Sequence, residues 1–314
     1  MLKIGLDAMG GDFAPLNAVL GAIEASQHKD IQIYLFGDET AITGILKENK
    51  VNPGSFVVVP CSQVIEFSDH PVSSFIKKKD SSISRGFEML ASGEIDAFAS
   101  AGNTGAMMAG CSTVLKLVGR INRPCISVEL PLTSGKKVLL LDVGFNSDCR
   151  PENLLQFSVL GSIYAQSVMK IKNPKVALLN IGEEREKGTL VLKEAYSLLQ
   201  ENEYINFVGN VESDKIFTVD GIADVVVTDG FTGNVMLKQA ESIYSMVQTR
   251  KIKDDYLEQF NYELYGGTPV LGVSSAVIIG HGRSTPLAIR NMIFKAEEVL
   301  NNNLIENFNI FARK

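Results

Sequence analysis

Two well-separated stretches of the chain each carry an apolar strand into a short glycine-spaced loop and on into a helix. They are Asp96 to Met108 (DAFASAGNTGAMM) and Asp224 to Leu237 (DVVVTDGFTGNVML). Glycine lets the backbone turn sharply and come close to a ligand, and the first turn of the following helix leaves N–H groups unpaired. Each stretch is therefore a candidate anion seat. The chain has no Walker lysine motif, so the expected chemistry is phosphate binding for something other than nucleotide hydrolysis. The candidate contacts are Gly102, Asn103, Thr104 and Gly105 in the first seat, and Asp229, Gly230, Thr232, Gly233 and Asn234 in the second.

Three further loops have the same character. Asp7 to Asp12 offers Gly10, Gly11 and Asp12 ahead of Pro15; Gly144 to Asp148 precedes Pro151; and Ile181 to Gly188 carries Lys187. Ligands in open α/β sheets gather beyond the carboxyl ends of the strands, so all five loops are expected at one crevice. Lys187 is the best single cation, because an ammonium is a compact point charge suited to phosphate. Among the histidines, His28 in a polar turn and His70 before a proline read as surface residues, and only His281, after an apolar strand, is placed to enter a crevice. No Gly-x-Ser-x-Gly elbow is present, and a covalent acyl-enzyme is not the expected route. Asp7, Asp12, Asp142 and Asp229 stand at strand ends, where carboxylates commonly cap loops; no metal site is expected. The run Lys77-Lys78-Lys79 offers a local basic face, followed by Asp80-Ser81-Ser82, whose hydroxyls suit a helix cap.

The elements that must position these loops alternate. Strands are expected at Lys3–Asp7, Ile31–Phe36, Phe56–Pro60, Ala97–Ser100, Ser127–Leu130, Val138–Val143, Lys175–Asn180, Ile205–Gly209, Val225–Thr228 and Ala276–Gly280, with helix-length stretches between most of them. That pattern predicts an α/β protein with a largely parallel sheet covered on both faces. No Pro- or Ser-rich linker divides the chain, so residues 1–314 are expected to form one unit. Gln239 to Tyr265 reads as a charged helical excursion in which Tyr256, Leu257, Phe260 and Leu264 recur near helical spacing. It suits packing on its own domain, a dimer contact or a membrane-surface contact.

Composition bounds the partners. The 314 residues are 45% hydrophobic, with 30 basic against 36 acidic residues and a net charge of −6, so nothing global attracts nucleic acid. Four dispersed cysteines without a Cys-x-x-Cys pair argue for a reducing cytoplasm. The first strand begins at once, without a signal sequence, and no apolar run is long enough to span a bilayer.

Six motifs in fixed order, DAMGGDFAP, SAGNTGA, LLLDVGFN, LLNIGEE with Lys187-Gly188, TDGFTGN and YGGTPVLG, resemble the phosphate acyltransferase family known as PlsX over essentially the whole chain. The resemblance implies a three-layer α/β/α fold similar to the isocitrate and isopropylmalate dehydrogenases and to phosphotransacetylases. It also implies an enzyme of bacterial phospholipid synthesis that moves a fatty acyl group from acyl carrier protein to inorganic phosphate. Lys187 and Asn234 match that family's functional lysine and asparagine. The family implies no cofactor, a homodimer, and a peripheral position at the inner face of the membrane. There a glycerol-3-phosphate acyltransferase that uses acyl phosphate takes the product. Many members carry a longer apolar and basic hairpin where this chain has the shortened Gln239 to Tyr265 segment, which weakens the expectation of autonomous membrane binding. Lys77, Lys78 and Lys79 are candidates for docking the acidic carrier. The alternatives are a metal-dependent dehydrogenase of the isopropylmalate type, for which no arginine cluster is visible, and a non-catalytic scaffold at a membrane surface.

Overall fold

The computed structural model describes residues 1–28 and 31–311. In chain order the elements are β1 (Leu2–Asp7), α1 (Leu16–His28), β2 (Ile31–Gly37), α2 (Glu39–Glu48), β3 (Val57–Pro60), α3 (Pro71–Lys77), α4 (Ser82–Ser92), β4 (Ala97–Ser100), α5 (Thr104–Thr113), β5 (Cys125–Pro131) and β6 (Lys137–Leu141). They continue with α6 (Pro151–Ser167), β7 (Lys175–Asn180), α7 (Leu190–Gln200), β8 (Asn206–Glu212), β9 (Val225–Val227), α8 (Gly230–Arg250), α9 (Tyr262–Tyr265), β10 (Thr268–Leu271), β11 (Ala276–Ile279), α10 (Pro286–Asn301) and α11 (Leu304–Phe311).

Where one undivided unit is expected, the chain forms two compact ones. The first joins Met1–Lys116 to Tyr262–Asn301, and the second is Leu117–Asn261 with the chain from Asn302 onward. The crossings use no Pro- or Ser-rich segment, so the sequence gives no sign of them.

In the first unit the strands run in the order β3-β2-β1-β4-β11-β10. All neighbours are parallel except β10, which pairs antiparallel with β11. Helices α1, α2 and α10 group on one face, and α3, α4 and α5 on the other. In the second unit the order is β5-β6-β9-β7-β8, with β5 antiparallel to β6 and the rest parallel. There α6, α7 and α11 lie on one face and α8 on the other. Each unit is thus a three-layer α/β/α sandwich with a largely parallel sheet. Strands β4, β9 and β11 are buried along their whole length, as strands covered on both faces must be.

The repeated stretches begin with the same clamp in both units. Asp96 accepts a hydrogen bond from the Lys3 N–H (2.8 Å) and donates its own N–H to the Lys3 carbonyl, which fixes the start of β1. Asp224 does the same to Lys175 at the start of β7, also at 2.8 Å. The likeness seen in sequence is therefore a likeness of construction.

Three expectations change. No strand is expected at Thr268–Leu271, yet β10 (TPVL) forms there and pairs antiparallel with β11, Thr268 opposite Ile279 and Pro269 opposite Ile278. The segment Gln239 to Tyr265 is not one helix. Its first half belongs to the 21-residue α8, which ends at Lys251 in a left-handed conformation (φ 53°), and Tyr256 to Phe260 then form a turn packed back on the second unit. Phe260 meets the ring of Phe217 at 5.1 Å, and Tyr256 donates to the Pro131 carbonyl. His28 ends α1 rather than sitting in a turn, and its side chain lies outside the described residues.

Candidate active site

The first unit places the tips of three adjacent parallel strands, β1, β4 and β11, side by side. Asp7, 1% exposed at the end of β1, accepts from the Ser100 hydroxyl (2.6 Å) and the Met9 N–H (3.0 Å). Ser100 in turn accepts from the Gly102 N–H at 2.9 Å. A Cβ at Gly10 would lie 2.7 Å from the Gly102 nitrogen, so only glycine lets these two loops touch. The Asp12 N–H donates to the Gly282 carbonyl at 2.7 Å, which ties in the loop after β11. Asn103 caps α5, accepting from the Ala106 N–H (3.0 Å) while its amide donates to the Glu66 carbonyl (2.9 Å). The N–H groups of Thr104 and Gly105, first in the helix, are left for a ligand. His281 accepts from the Arg283 N–H on Nδ1 (3.1 Å), which puts its proton on Nε2, and its ring lies 4.9 Å from that of Tyr262. It is half-buried at the rim of this cup.

The second unit repeats the arrangement with the tips of β6, β9 and β7. Leu141, Val227 and Leu178 lie in register across those strands, so the three following loops leave from one edge. Asp229 caps α8, accepting from the Thr232 N–H and hydroxyl, each at 2.8 Å. The Gly230 N–H donates to the Asn146 carbonyl at 2.7 Å. A Cβ at Gly233 would lie 1.9 Å from the Asp142 carbonyl oxygen, so α8 can start here only because that residue is glycine. Asn234 follows, exposed, with its carboxamide over Gly144.

Lys187 lies on the loop after β7. Asn180 donates to the Lys187 carbonyl (3.1 Å) and Asn210 of β8 donates to the Glu184 carbonyl (3.0 Å), stapling both ends of the loop. Two neighbouring charges are diverted: Glu183 pairs with Lys215, and Arg185 sits 5.7 Å over the Tyr196 ring. Among the described residues Lys187 forms no ion pair, and its exposed ammonium is available to an anion.

Burial pushes the carboxyls of Asp7 and Asp142 above the usual range, and the hydrogen bonds they accept pull the other way. Both groups are enclosed by donors. Burial also pushes the Cys61 thiol up to about 12 and Cys149 up to about 11, so neither offers a thiolate at neutral pH. The described residues hold no group of three or more His, Cys, Asp or Glu side chains disposed around a metal ion.

The triple lysine does not act as a block. Lys78 donates to Asp69 (2.6 Å) and to the Val64 carbonyl (2.7 Å), so its charge is spent inside the fold. Lys77 and Lys79 remain exposed, and Lys79 borders a cleft of about 620 Å³ shared with Phe75, Arg85 and Val114. Ser81 caps α4, as its position suggests, and His70, read as a plain surface residue, caps α3. The positioning parts played by Ser100, Asn180 and Asn210 escape sequence reading. Ser100 and Asn180 show only as a polar residue closing an apolar run, and Asn210 lies among other polar residues of β8 with no signal of its own.

Each of the two α/β units presents a helix N-terminus and glycine loops at parallel strand tips, an arrangement of the kind able to receive an anionic group. Residues 2–307 match the family described as "Fatty acid synthesis protein", and the chain belongs to it. Curated relatives named phosphate acyltransferase include those of Dictyoglomus turgidum (39% identical, covering 98% of each chain) and Heliobacterium modesticaldum (43% identical, covering 97% of this chain and 96% of the relative). In fold the chain is similar to a phosphotransacetylase from Streptococcus pyogenes, with a TM-score of 0.69 at 16% identity over 97% of this chain and 94% of the other. It is also similar to a putative 4-hydroxythreonine-4-phosphate dehydrogenase from Salmonella typhimurium, with a TM-score of 0.55 at 12% identity over 95% and 99%.

Proposed function

We propose that the protein forms acyl phosphate from a fatty acyl thioester of acyl carrier protein and inorganic phosphate, as part of bacterial phospholipid synthesis. The observation that carries this reading is that an unpaired lysine, an exposed carboxamide and a helix N-terminus leave one edge of one sheet in the second unit. Phosphate is already a nucleophile, so the protein must supply position, charge neutralisation and a site for the oxyanion. Lys187 neutralises hydrogenphosphate. One of its oxygens attacks the thioester carbonyl, forming a C–O bond and a tetrahedral oxyanion that accepts from the Asn234 amide. Collapse breaks the C–S bond, and the phosphate's proton ends on the departing thiol, so no covalent enzyme intermediate is required. The loops around α5, with Gly10, Gly11, Asp12 and His281, form a second anion seat of the same type.

Exposed Lys77 and Lys79, the latter bordering the Phe75 cleft, suit the acidic carrier, while Lys78 drops out of that role. No described helix is long and apolar enough to cross a membrane. Exposed Met246 and Ile252 beside Lys251 and Lys253 at the end of α8 suit contact with a membrane surface. In this reading the protein works there as a cytoplasmic homodimer, and a glycerol-3-phosphate acyltransferase that uses acyl phosphate takes the product.

The test incubates the protein with acyl carrier protein thioester and phosphate and traps acyl phosphate with hydroxylamine. A phosphate-dependent hydroxamate is expected, slowed roughly 100- to 1,000-fold in Asn234→Ala, the loss typical of one oxyanion donor. No hydroxamate from the unaltered protein ends the proposal.

A further inference from the structure

Asp142 is fully buried just past β6, and the structure surrounds it with donors alone. Oδ1 accepts from the Ile126 N–H (2.9 Å) and the Phe145 N–H (3.1 Å). Oδ2 accepts from the Asn146 N–H (2.6 Å) and from its side-chain amide (2.9 Å). A carboxylate has room for about four such bonds and a protonated carboxyl would need an acceptor for its own proton, so the group sits here as an anion. No cation pairs with it among the described residues. A buried charge held only by hydrogen bonds is costly, which calls for a reason beyond packing.

The reason lies in what those bonds hold. They fix residues 144–146 as a shelf against β5. From that shelf the Asn146 carbonyl receives the Gly230 N–H (2.7 Å), and a Cβ at Gly230 would lie 2.7 Å from Asp142 Oδ2. Gly144, on the same shelf, lies under the Asn234 side chain, whose Oδ1 would be 3.4 Å from a Cβ there. The first turn of α8 and the carboxamide it carries therefore rest on a shelf whose place is set by one carboxylate. We infer that Asp142 is a positioning residue for the acyl transfer, acting through residues 144–146 to aim the Asn234 amide. The inference rests on the catalytic reading of Asn234 given above.

The test is a double-mutant cycle of Asp142→Asn with Asn234→Ala, scored by phosphate-dependent hydroxamate formation alongside thermal unfolding. Asparagine keeps the shape but turns an N–H₂ toward groups that are themselves donors, so the shelf must shift. A shift near 1 Å predicts a loss of kcat on the order of 100-fold. The KM for phosphate should change little, and the double variant should be no slower than Asn234→Ala alone. If D142N yields no folded protein, the same cycle runs with N146A, which removes the amide contact to Asp142 and leaves the other three. Losses that multiply in a folded double variant overturn the inference, as does wild-type kcat in folded D142N. Full activity in Asn234→Ala overturns the catalytic reading itself, a different result from multiplying losses.

Discussion

Gly233→Ala separates a working α8 N-terminus from an ordinary one by the sign of its effect. In an exposed helix, alanine is favoured over glycine by about 1 kcal/mol, so a helix that is merely capped here should gain stability. This one should lose it. The added Cβ falls 1.9 Å from the Asp142 carbonyl oxygen and 3.0 Å from both its carbonyl carbon and Thr228 Cγ2, with backbone as the main obstacle. Real Cβ contacts do not fall below 3.0 Å, so the start of α8 and the end of β6 must part by about 1.1 Å. Overpacking of this kind costs about 1–3 kcal/mol. The displaced turn carries Asn234, and misplacement on this scale costs about 100-fold in rate. Purified G233A is compared with the unaltered protein by urea unfolding and by hydroxylamine-trapped acyl phosphate. A variant that is more stable and turns over within about threefold of the parent would refute the steric argument and, with it, the link between the α8 start and rate.

Three further outcomes are expected. Lys77→Glu with Lys79→Glu should raise KM for the acylated carrier about tenfold at low salt, with the effect fading as salt rises. Lys78→Ala should leave KM alone and cost on the order of 1 kcal/mol in stability, read from urea midpoints, because that ammonium serves Asp69 and Val64. The Ser62 hydroxyl and N–H hold the Asp80 carboxyl below its usual range, so its contribution to stability is present above the unfolded value near pH ~3.9 and is lost as pH falls through the lower folded one. The stability gap between wild type and Asp80→Asn should therefore be flat at neutral pH and close in acid, as followed by urea midpoints across pH; a gap that widens in acid would reverse the assignment.

The alternation of short buried strands with helix-length stretches was enough to read a layered α/β architecture, because strands such as Val225–Val227 have no polar face to show. The pattern is silent where a residue's meaning depends on a distant partner. Thr268–Leu271, short and interrupted by Pro269, does not stand out as a strand by itself and becomes one only against β11. Tyr256, Leu257 and Phe260 keep helical spacing, yet the left-handed Lys251 ends α8 before them. The glycine loops were visible as loops, but nothing local distinguishes Lys78, which turns inward to Asp69, from Lys77 and Lys79, which stay outside. Asp142 likewise looks like any carboxylate after a strand; its four donors come from Ile126, Phe145 and Asn146, and only folding makes them neighbours.

Helix α8 has a mechanical consequence. It runs unbroken from Gly230 to Arg250, and at 1.5 Å per residue its last turn stands about 24 Å along the axis from Asn234. The helix is a ruler. Exposed Met246, on the helix itself, is held about 18 Å along the axis from Asn234, and changing the helix between them by four residues would move it by about 6 Å.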